Sequence, residues 1–166
     1  MAVVNTKTSR VTNSDASPRV LDTPNVNHGR LRRVVGTLEA VSGDSIGSTY
    51  RMARVHSSWC VVDMYLYCDA ITTCAGDVGL YRIAADGGAV VDADAYASAA
   101  SLATASTTGI NVAYEARDII KCQQQVWQDA GATADTGYWY DVVITLTAAA
   151  GSAGSLVLDI GYVAND

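Results

Sequence analysis

The sequence lacks the features that mark membrane and secreted proteins. Its 166 residues contain no run of about 18 apolar residues, which a membrane-spanning helix requires. The N-terminal stretch MAVVNTKTSR has no apolar core of the kind that a secretory signal carries. We therefore expect a protein that is made in a cytoplasm and has no membrane partner.

Cysteine is scarce and irregularly spaced. The sequence has no C-x-x-C pair to begin a zinc site, and its cysteines are too few for a disulfide framework. We expect Cys60, Cys68, Cys74 and Cys122 to be reduced and structural, and we expect no metal and no cofactor. Cys60 and Cys68 should face inward on one strand, and a tight turn would let Cys68 approach Cys74.

Phenylalanine is absent, whereas tyrosine occurs nine times and tryptophan three times. Aromatic residues with polar tips suit surfaces that meet other surfaces. Charge is also uneven, because residues 1–56 hold eight Lys and Arg against four Asp and Glu, whereas residues 57–166 hold three against thirteen. Phosphate would repel so acidic a body, so the distribution favours a protein partner over nucleic acid.

Proline is confined to the N-terminal region. Residues 1–33 contain both prolines of the chain, many Ser, Thr and Asn residues, and no sustained helical or strand period. Scattered valines and leucines give this region apolar anchors. We predict that residues 1–33 form an extended arm and that residues 34–166 form a single β domain.

From residue 34 onward, apolar residues recur with the period of two that is typical of β-strands. In WCVVDMYLYCDA, residues 59–70, the predicted inward positions are Cys60, Val62, Met64, Leu66, Cys68 and Ala70. The segments VVGTLEAV, STYRMARVH, VGLYRI, INVAYEAR, YWYDVVITLT and LVLDIGY bring the count to about seven strands. The predicted fold is therefore all-β, a jelly roll or β-sandwich with an extended N-terminal arm.

Two segments are predicted as short helices within loops. AYASAASLA, residues 95–103, is rich in alanine and follows acidic residues that could cap a helix. QQQVWQDAG, residues 123–131, ends at a glycine, which commonly terminates a helix.

The acidic stretch DVGLYRIAADGGAVVDADAYASAASL raises the question of a calcium loop. Such a loop needs D-x-[DN]-x-[DN]-G with a later glutamate, because calcium takes six to eight oxygen ligands from a compact turn. Asp92 and Asp94 are followed by no such glycine, and Asp86 belongs to a separate turn. We instead assign Asp86-Gly87-Gly88 to a tight turn and Asp92 or Asp94 to a helix cap.

GDSIG, residues 43–47, formally matches the G-x-S-x-G nucleophile elbow of hydrolases. An elbow places its serine between a strand and a helix, and the histidine comes later in the chain. Ser45 is followed by a predicted strand that contains His56, and His28 lies in the arm. Both context and order argue against a hydrolase, so we predict no catalytic residue and no enzyme.

The strongest local charge signal is a set of cations in the N-terminal region. We predict that they dock on acidic patches of a protein partner, and the alternative is a charged segment that simply lies in solvent. The set comprises Lys7, Arg10, Arg19, Arg30, Arg32 and Arg33.

Trp59, Tyr65 and Tyr67 are predicted to lie on the face of their strand opposite the core. An aromatic stripe there is either covered by another part of the chain or buried at a subunit interface. With Trp139, these residues could alternatively serve as the stacking platforms of a carbohydrate-binding module.

Three long segments of the sequence resemble a known family. RLRRVVGTLEAVSGDSIGSTYRMARV, CDAITTCAGDVGLYRIAADGGAVVDADAYASAASLA and YDVVITLTAAAGSAGSLVLDIGYV are similar to small virion proteins of tailed bacteriophages, known as structural, decoration or cement proteins. The resemblance implies a jelly-roll subunit that catalyses nothing and sits on the outside of an icosahedral capsid. It implies the major capsid protein as partner, and a homo-oligomer with a trimer favoured over a dimer. A carbohydrate-binding module and a tail or neck component of the virion remain the alternatives.

Overall fold

The computed structural model describes residues 6–21 and 29–164. In these ranges no helix is long and apolar enough to cross a membrane. Short 3-10 turns occupy Ala84–Asp86 and Ile119–Lys121. The other elements are α1 (Ser9–Asp15), β1 (Arg30–Ala40), β2 (Thr49–His56), β3 (Cys60–Cys68), β4 (Ala75–Arg82), β5 (Val90–Ser101), β6 (Ser106–Asn111), α2 (Val126–Asp129), β7 (Trp139–Ala148) and β8 (Gly154–Ala164).

The strands form two four-stranded antiparallel sheets. Sheet A has the order β1-β8-β3-β6, and sheet B has the order β2-β7-β4-β5. β1 pairs with β8, β2 with β7, β3 with β6 and β4 with β5, so the chain pairs as one long hairpin that is rolled into two sheets. This is the strand order of an eight-stranded jelly roll, and it confirms the predicted fold class.

The hydrophobic core lies between the two sheets. Alternate residues of β7 and β8 are fully buried in it, namely Val142, Ile144, Leu158 and Ile160. Tyr96 is a large side chain of this core and has no exposed surface. Cys60, Cys68 and Cys74 are buried and free, whereas Cys122 is free and exposed.

One edge of the sandwich is closed by a close backbone approach between β1 and β2. A β-bulge falls between Arg51 and Ala53, so that the carbonyl of Met52 points at Gly36 across the edge. A Cβ at Gly36 would clash with the Met52 carbonyl oxygen and lie 2.7 Å from its carbon. Glycine at this position lets the two sheets meet.

A second bulge, in β3, changes which residues of this strand face the core from those that were predicted. The register shifts between Val61 and Asp63, and Val61 is fully buried whereas Val62 is only half-buried. The extra residue moves the alternation by one position, so Val62 was the wrong inward residue before the bulge. Ala70 lies beyond the strand and is exposed, so its inward assignment was also wrong.

The predicted helix over residues 95–103 was wrong. This segment continues β5, which pairs with β4 and buries Tyr96 and Ala97. Asp92 and Asp94 therefore lie within a strand and cap no helix. Pairing and burial outweigh the helical preference of alanine, which is a weak bias when tertiary contacts compete.

The other departures are smaller. Within residues 123–131 only the single turn α2 is helical, and β6 ends at Asn111, so most of INVAYEAR lies outside the sheets. Residues 9–15 form α1, where an extended chain was predicted, because Thr8 caps the helix by accepting a hydrogen bond from the Val11 amide. β1 begins at Arg30, and the division of the chain at residue 33 stays a prediction.

Candidate interaction surfaces

The six predicted cations fall into two groups. Lys7 donates to Asp15 at 2.7 Å, Arg10 lies in α1, and Arg19 contacts the Ser14 carbonyl oxygen at 3.4 Å. The other three, Arg30, Arg32 and Arg33, are exposed residues of β1. The basic character of the N-terminal region is therefore divided between α1 with its following segment and the first strand.

Arg33 pairs with a buried carboxylate. Its Nε donates to Oδ1 of Asp159 at 2.9 Å, and its terminal nitrogen contacts the other carboxylate oxygen. The Asp159 side chain is 7% exposed, whereas that of Arg33 is 63% exposed. Arg33 thus has a structural role in neutralising Asp159, in addition to any role in binding.

A basic patch that was not predicted from the sequence lies on the outer face of sheet B. Arg51 and Arg54 both bind the buried carboxylate of Asp141, at 2.9 Å and 2.8 Å. Arg51 also donates to the carbonyl oxygens of Arg82 and Gly88, which fixes the turn between β4 and β5. Two guanidinium groups on one carboxylate leave net positive charge at the surface. In the sequence the two arginines stand three positions apart, and the bulge between Arg51 and Ala53 places them on one face.

The turn between β4 and β5 extends this patch. The guanidinium carbon of Arg82 lies 3.6 Å from the ring centre of Tyr138, and its NH2 donates to Asp86 at 2.9 Å. Asp86 is therefore the ion-pair partner of Arg82, and the following Gly87 and Gly88 have the positive φ values expected of the predicted tight turn. Within the described ranges, no group of His, Cys, Asp and Glu could hold a metal ion.

Ser45 and His56 are not arranged as an elbow. Ser45 lies in the turn between β1 and β2, so a strand follows it where an elbow requires a helix. His56 ends β2, and its Nδ1 lies 2.8 Å from the Ser58 hydroxyl.

The three predicted stripe aromatics do not share one environment. Trp59 stacks on Tyr162, with ring centres 4.3 Å apart, and meets Trp139 edge to face at 5.4 Å. It packs against the core because the β3 bulge separates it in register from Tyr65 and Tyr67. Trp59 is therefore half-buried against aromatic residues of its own chain, and the role of the stripe stays a prediction.

Tyr65 and Tyr67 lie on the outer face of sheet A, opposite Asp159 and Val157 of β8. Both tyrosines are half-buried. The Tyr67 ring lies against Gly109, where a Cβ would come within 2.8 Å of it, so the ring has little freedom to move.

A long connection between β6 and β7 covers one end of the sandwich. It is held by a buried ion pair in which Nε of Arg117 lies 3.0 Å from Oδ1 of Asp129, and both side chains are 2% exposed. The other Arg117 nitrogens donate to the carbonyl oxygens of Val61, Lys121 and Gln124. Burial raises the pKa of Asp129 to about 6, although Arg117 opposes that shift.

Comparison with known proteins gives a match in fold. No protein-family model matches the chain, and no curated protein matches it. Among solved structures, it is similar to a chain of the "Cyanophage Pam1 capsid asymmetric unit", with a TM-score of 0.55 and 15% sequence identity. The match covers 91% of this chain and 97% of the other, so the two folds agree over nearly their whole lengths. At this identity, the likeness shows the fold alone.

Proposed function

We propose that this protein is a non-enzymatic decoration or cement protein of a tailed-phage virion, which binds the outside of the major capsid shell and stabilises it. The observation that carries the proposal is the jelly roll shared with a chain of a phage capsid over 91% of the residues. The virion, on the capsid exterior, is the proposed location, and the protein acts as a homo-oligomer, with a trimer favoured.

The distribution of charge supports attachment through the N-terminal region. Lys7 and Arg19 on either side of α1, and the arginines at the start of β1, are exposed cations, whereas several acidic groups of the body already have cationic partners. Exposed arginines increase the rate of encounter with an acidic surface and orient it, while buried apolar area supplies most of the affinity. Several modest contacts made by one oligomer would then combine into a firm hold on the shell.

The test compares phage particles assembled with and without the protein. We expect bare particles to lose their genome at lower temperature than decorated ones, and purified protein to restore the difference when it is added back. Equal thermal and mechanical stability of the two particles would refute the cement role. Copies per particle, counted by mass spectrometry, separate a shell protein from a tail or neck component.

A charge-removal variant tests the attachment surface. Replacing Arg10, Arg19 and Arg30 with glutamine should weaken decoration, most strongly at low salt, and Arg33 is left intact because it neutralises Asp159. A control variant carries glutamate at the exposed positions Thr108, Gln123 and Thr133 of the body. Equal loss of decoration in both variants would show that only net charge matters.

Carbohydrate binding is the second candidate because two adjacent aromatics are exposed at one end of the sandwich. Tyr138 is 47% exposed and Trp139 is 42% exposed. Exposed rings of this kind can stack on sugars. A glycan array decides this point, since a cement protein should bind no glycan on it.

A further inference from the structure

The connection between β6 and β7 presents an apolar tip to solvent. In this loop tip, residues 118–122, Ile119 is 72% exposed and Ile120 is 80% exposed. The Asp118 carboxylate accepts a hydrogen bond from the Ile120 amide at 3.1 Å, and buried Arg117 holds the Lys121 carbonyl oxygen at 2.7 Å. These two hydrogen bonds fix the backbone of the tip, which exposes two large aliphatic side chains. A binding element that is already ordered loses less conformational entropy when it binds.

A matching recess lies on sheet A. This sheet groove has a volume of about 430 Å³. Tyr67 and Val157 are paired across β3 and β8 and line it, and Ser106 and Thr107 of β6 lie along one side. Asp69 and Ser155 also line the groove, and Asp69 accepts a hydrogen bond from the Ser155 amide at 2.9 Å. The carboxylate of Glu39 accepts from the Ser155 hydroxyl at 3.1 Å.

The loop tip and the sheet groove lie at opposite ends of β3. Cys60, the first residue of this strand, lies 3.4 Å from the Cys122 carbonyl oxygen of the tip, measured from its Sγ. Cys68, the last residue of the strand, lines the groove. Eight residues of extended chain span about 26 Å, so a tip cannot reach the groove of its own subunit.

Charge complementarity indicates which molecule would fill the groove. Lys121 directly follows the two isoleucines of the tip, whereas the carboxylate of Asp118 before them is turned to the Ile120 amide. Asp69 lines the groove, and Glu39 is linked to the groove through the hydroxyl of Ser155. An apolar centre with opposite charges at its margin is the arrangement found in specific protein interfaces.

We propose that the loop tip of one copy docks into the sheet groove of a second copy, with Ile119 and Ile120 on Tyr67 and Val157 and with Lys121 beside Asp69 and Glu39. Each copy then offers one tip and one groove, so the contact is head to tail. A closed ring results when the rotation from one copy to the next is a whole fraction of a full turn. This inference rests on the homo-oligomer of the proposed function and supplies the interface for it.

The test traps the contact through a natural cysteine of the tip. Cys122 is exposed, and Thr107→Cys places a second thiol at the groove. Mild oxidation of purified T107C should convert the protein into a covalent closed oligomer on a non-reducing gel. Two controls should remain uncrosslinked. The first combines T107C with Cys122→Ser, and the second carries Thr133→Cys in place of T107C and retains Cys122.

A second variant measures the contribution of the apolar contact. Ile120→Asp places a carboxylate at an exposed position, so folding should be unaffected, and the dissociation constant of self-association measured by sedimentation should rise at least about tenfold.

The inference is wrong if the wild-type protein is a monomer at all concentrations, or if it forms an oligomer that T107C does not trap. If I120D weakens only particle binding and leaves self-association unchanged, the occupant is the capsid and the inference is wrong. Trapped rings that fail to bind particles would refute the proposed function alone.

Discussion

Gly36 is the residue on which closure of the sandwich edge depends. Any side chain there must displace the Met52 carbonyl group, which belongs to a backbone bulge and cannot move as a flexible side chain could. Gly36→Ala should therefore lower the free energy of unfolding by about 2 kcal/mol, a typical cost of overpacking. Urea unfolding measures this, with Thr37→Ala at the exposed neighbouring position as the control. Equal stability of the two variants would mean that the edge is not tightly closed.

Asp129 should make stability depend on pH in an unusual direction. Its pKa is raised by burial to about 6 in the folded protein, from an ordinary value of 3.8, so the folded state binds the proton more tightly. The stabilising contribution is complete below about pH 4 and is lost as the pH rises through about 6. The loss amounts to roughly 3 kcal/mol at most, from the two pKa values and 1.36 kcal/mol for each unit of pKa.

Asp129→Asn isolates this effect because it imitates the protonated form. Other carboxylates act in the opposite direction, since hydrogen bonds from Tyr50 and Ser57 lower the pKa values of Asp44 and Asp135. The quantity to measure is the free energy of unfolding of the wild type minus that of the variant, from pH 4 to pH 7. It should fall with rising pH, and a flat difference would contradict the raised pKa.

For single residues, the sequence showed which charged side chains lie at the surface better than it showed their ion-pair partners. The arginines of β1 were found from the sequence, but the partnership of Arg33 with Asp159 was not, because the two residues meet only when the first strand pairs with the last. The same limit hid Asp141 between Arg51 and Arg54. Ion pairs between residues distant in sequence leave no periodic pattern in the chain.

Among the elements, β5 contains a local conflict. Ala99 has a φ of 48°, in the left-handed region that disfavours any residue with a Cβ. Ala99→Gly should therefore raise the free energy of unfolding by up to about 1 kcal/mol. Ala103→Gly is the control, because its φ is not positive and the added freedom of the unfolded chain should reduce stability. Thermal unfolding of both variants checks the sign, and destabilisation by Ala99→Gly would refute the strain.

Elements were predictable where alternation was regular. STYRMARVH, YWYDVVITLT and LVLDIGY correspond to β2, β7 and β8 within two residues at most boundaries, since each pairs along most of its length. The bulge in β3 was not predictable, because one extra residue changes the face of a side chain without changing the composition. The alanines of β5 suggested a helix because the sequence does not show that β4 lies beside them.

For the whole molecule, the start of β1 determines how many N-terminal residues can be removed without loss of a strand. Removal of residues 1–29 spares the pairing of Arg30 with Ala164 and should leave the jelly roll folded. We expect the truncated protein to keep its β-sheet circular dichroism but to decorate particles poorly, because Lys7, Arg10 and Arg19 are gone. Unchanged decoration would show that attachment depends on the sandwich itself.

The nested pairing of the strands has a consequence for the order of events during synthesis. β4 and β5 are joined by a short turn and can pair as soon as both have left the ribosome, but β1 must wait for β8, the last strand to be made. Pairings between distant parts of a chain form slowly because a large loop must close first. During that interval the long strand β1, with its three arginines, has no neighbour, and their mutual repulsion disfavours its pairing with the β1 of another nascent chain.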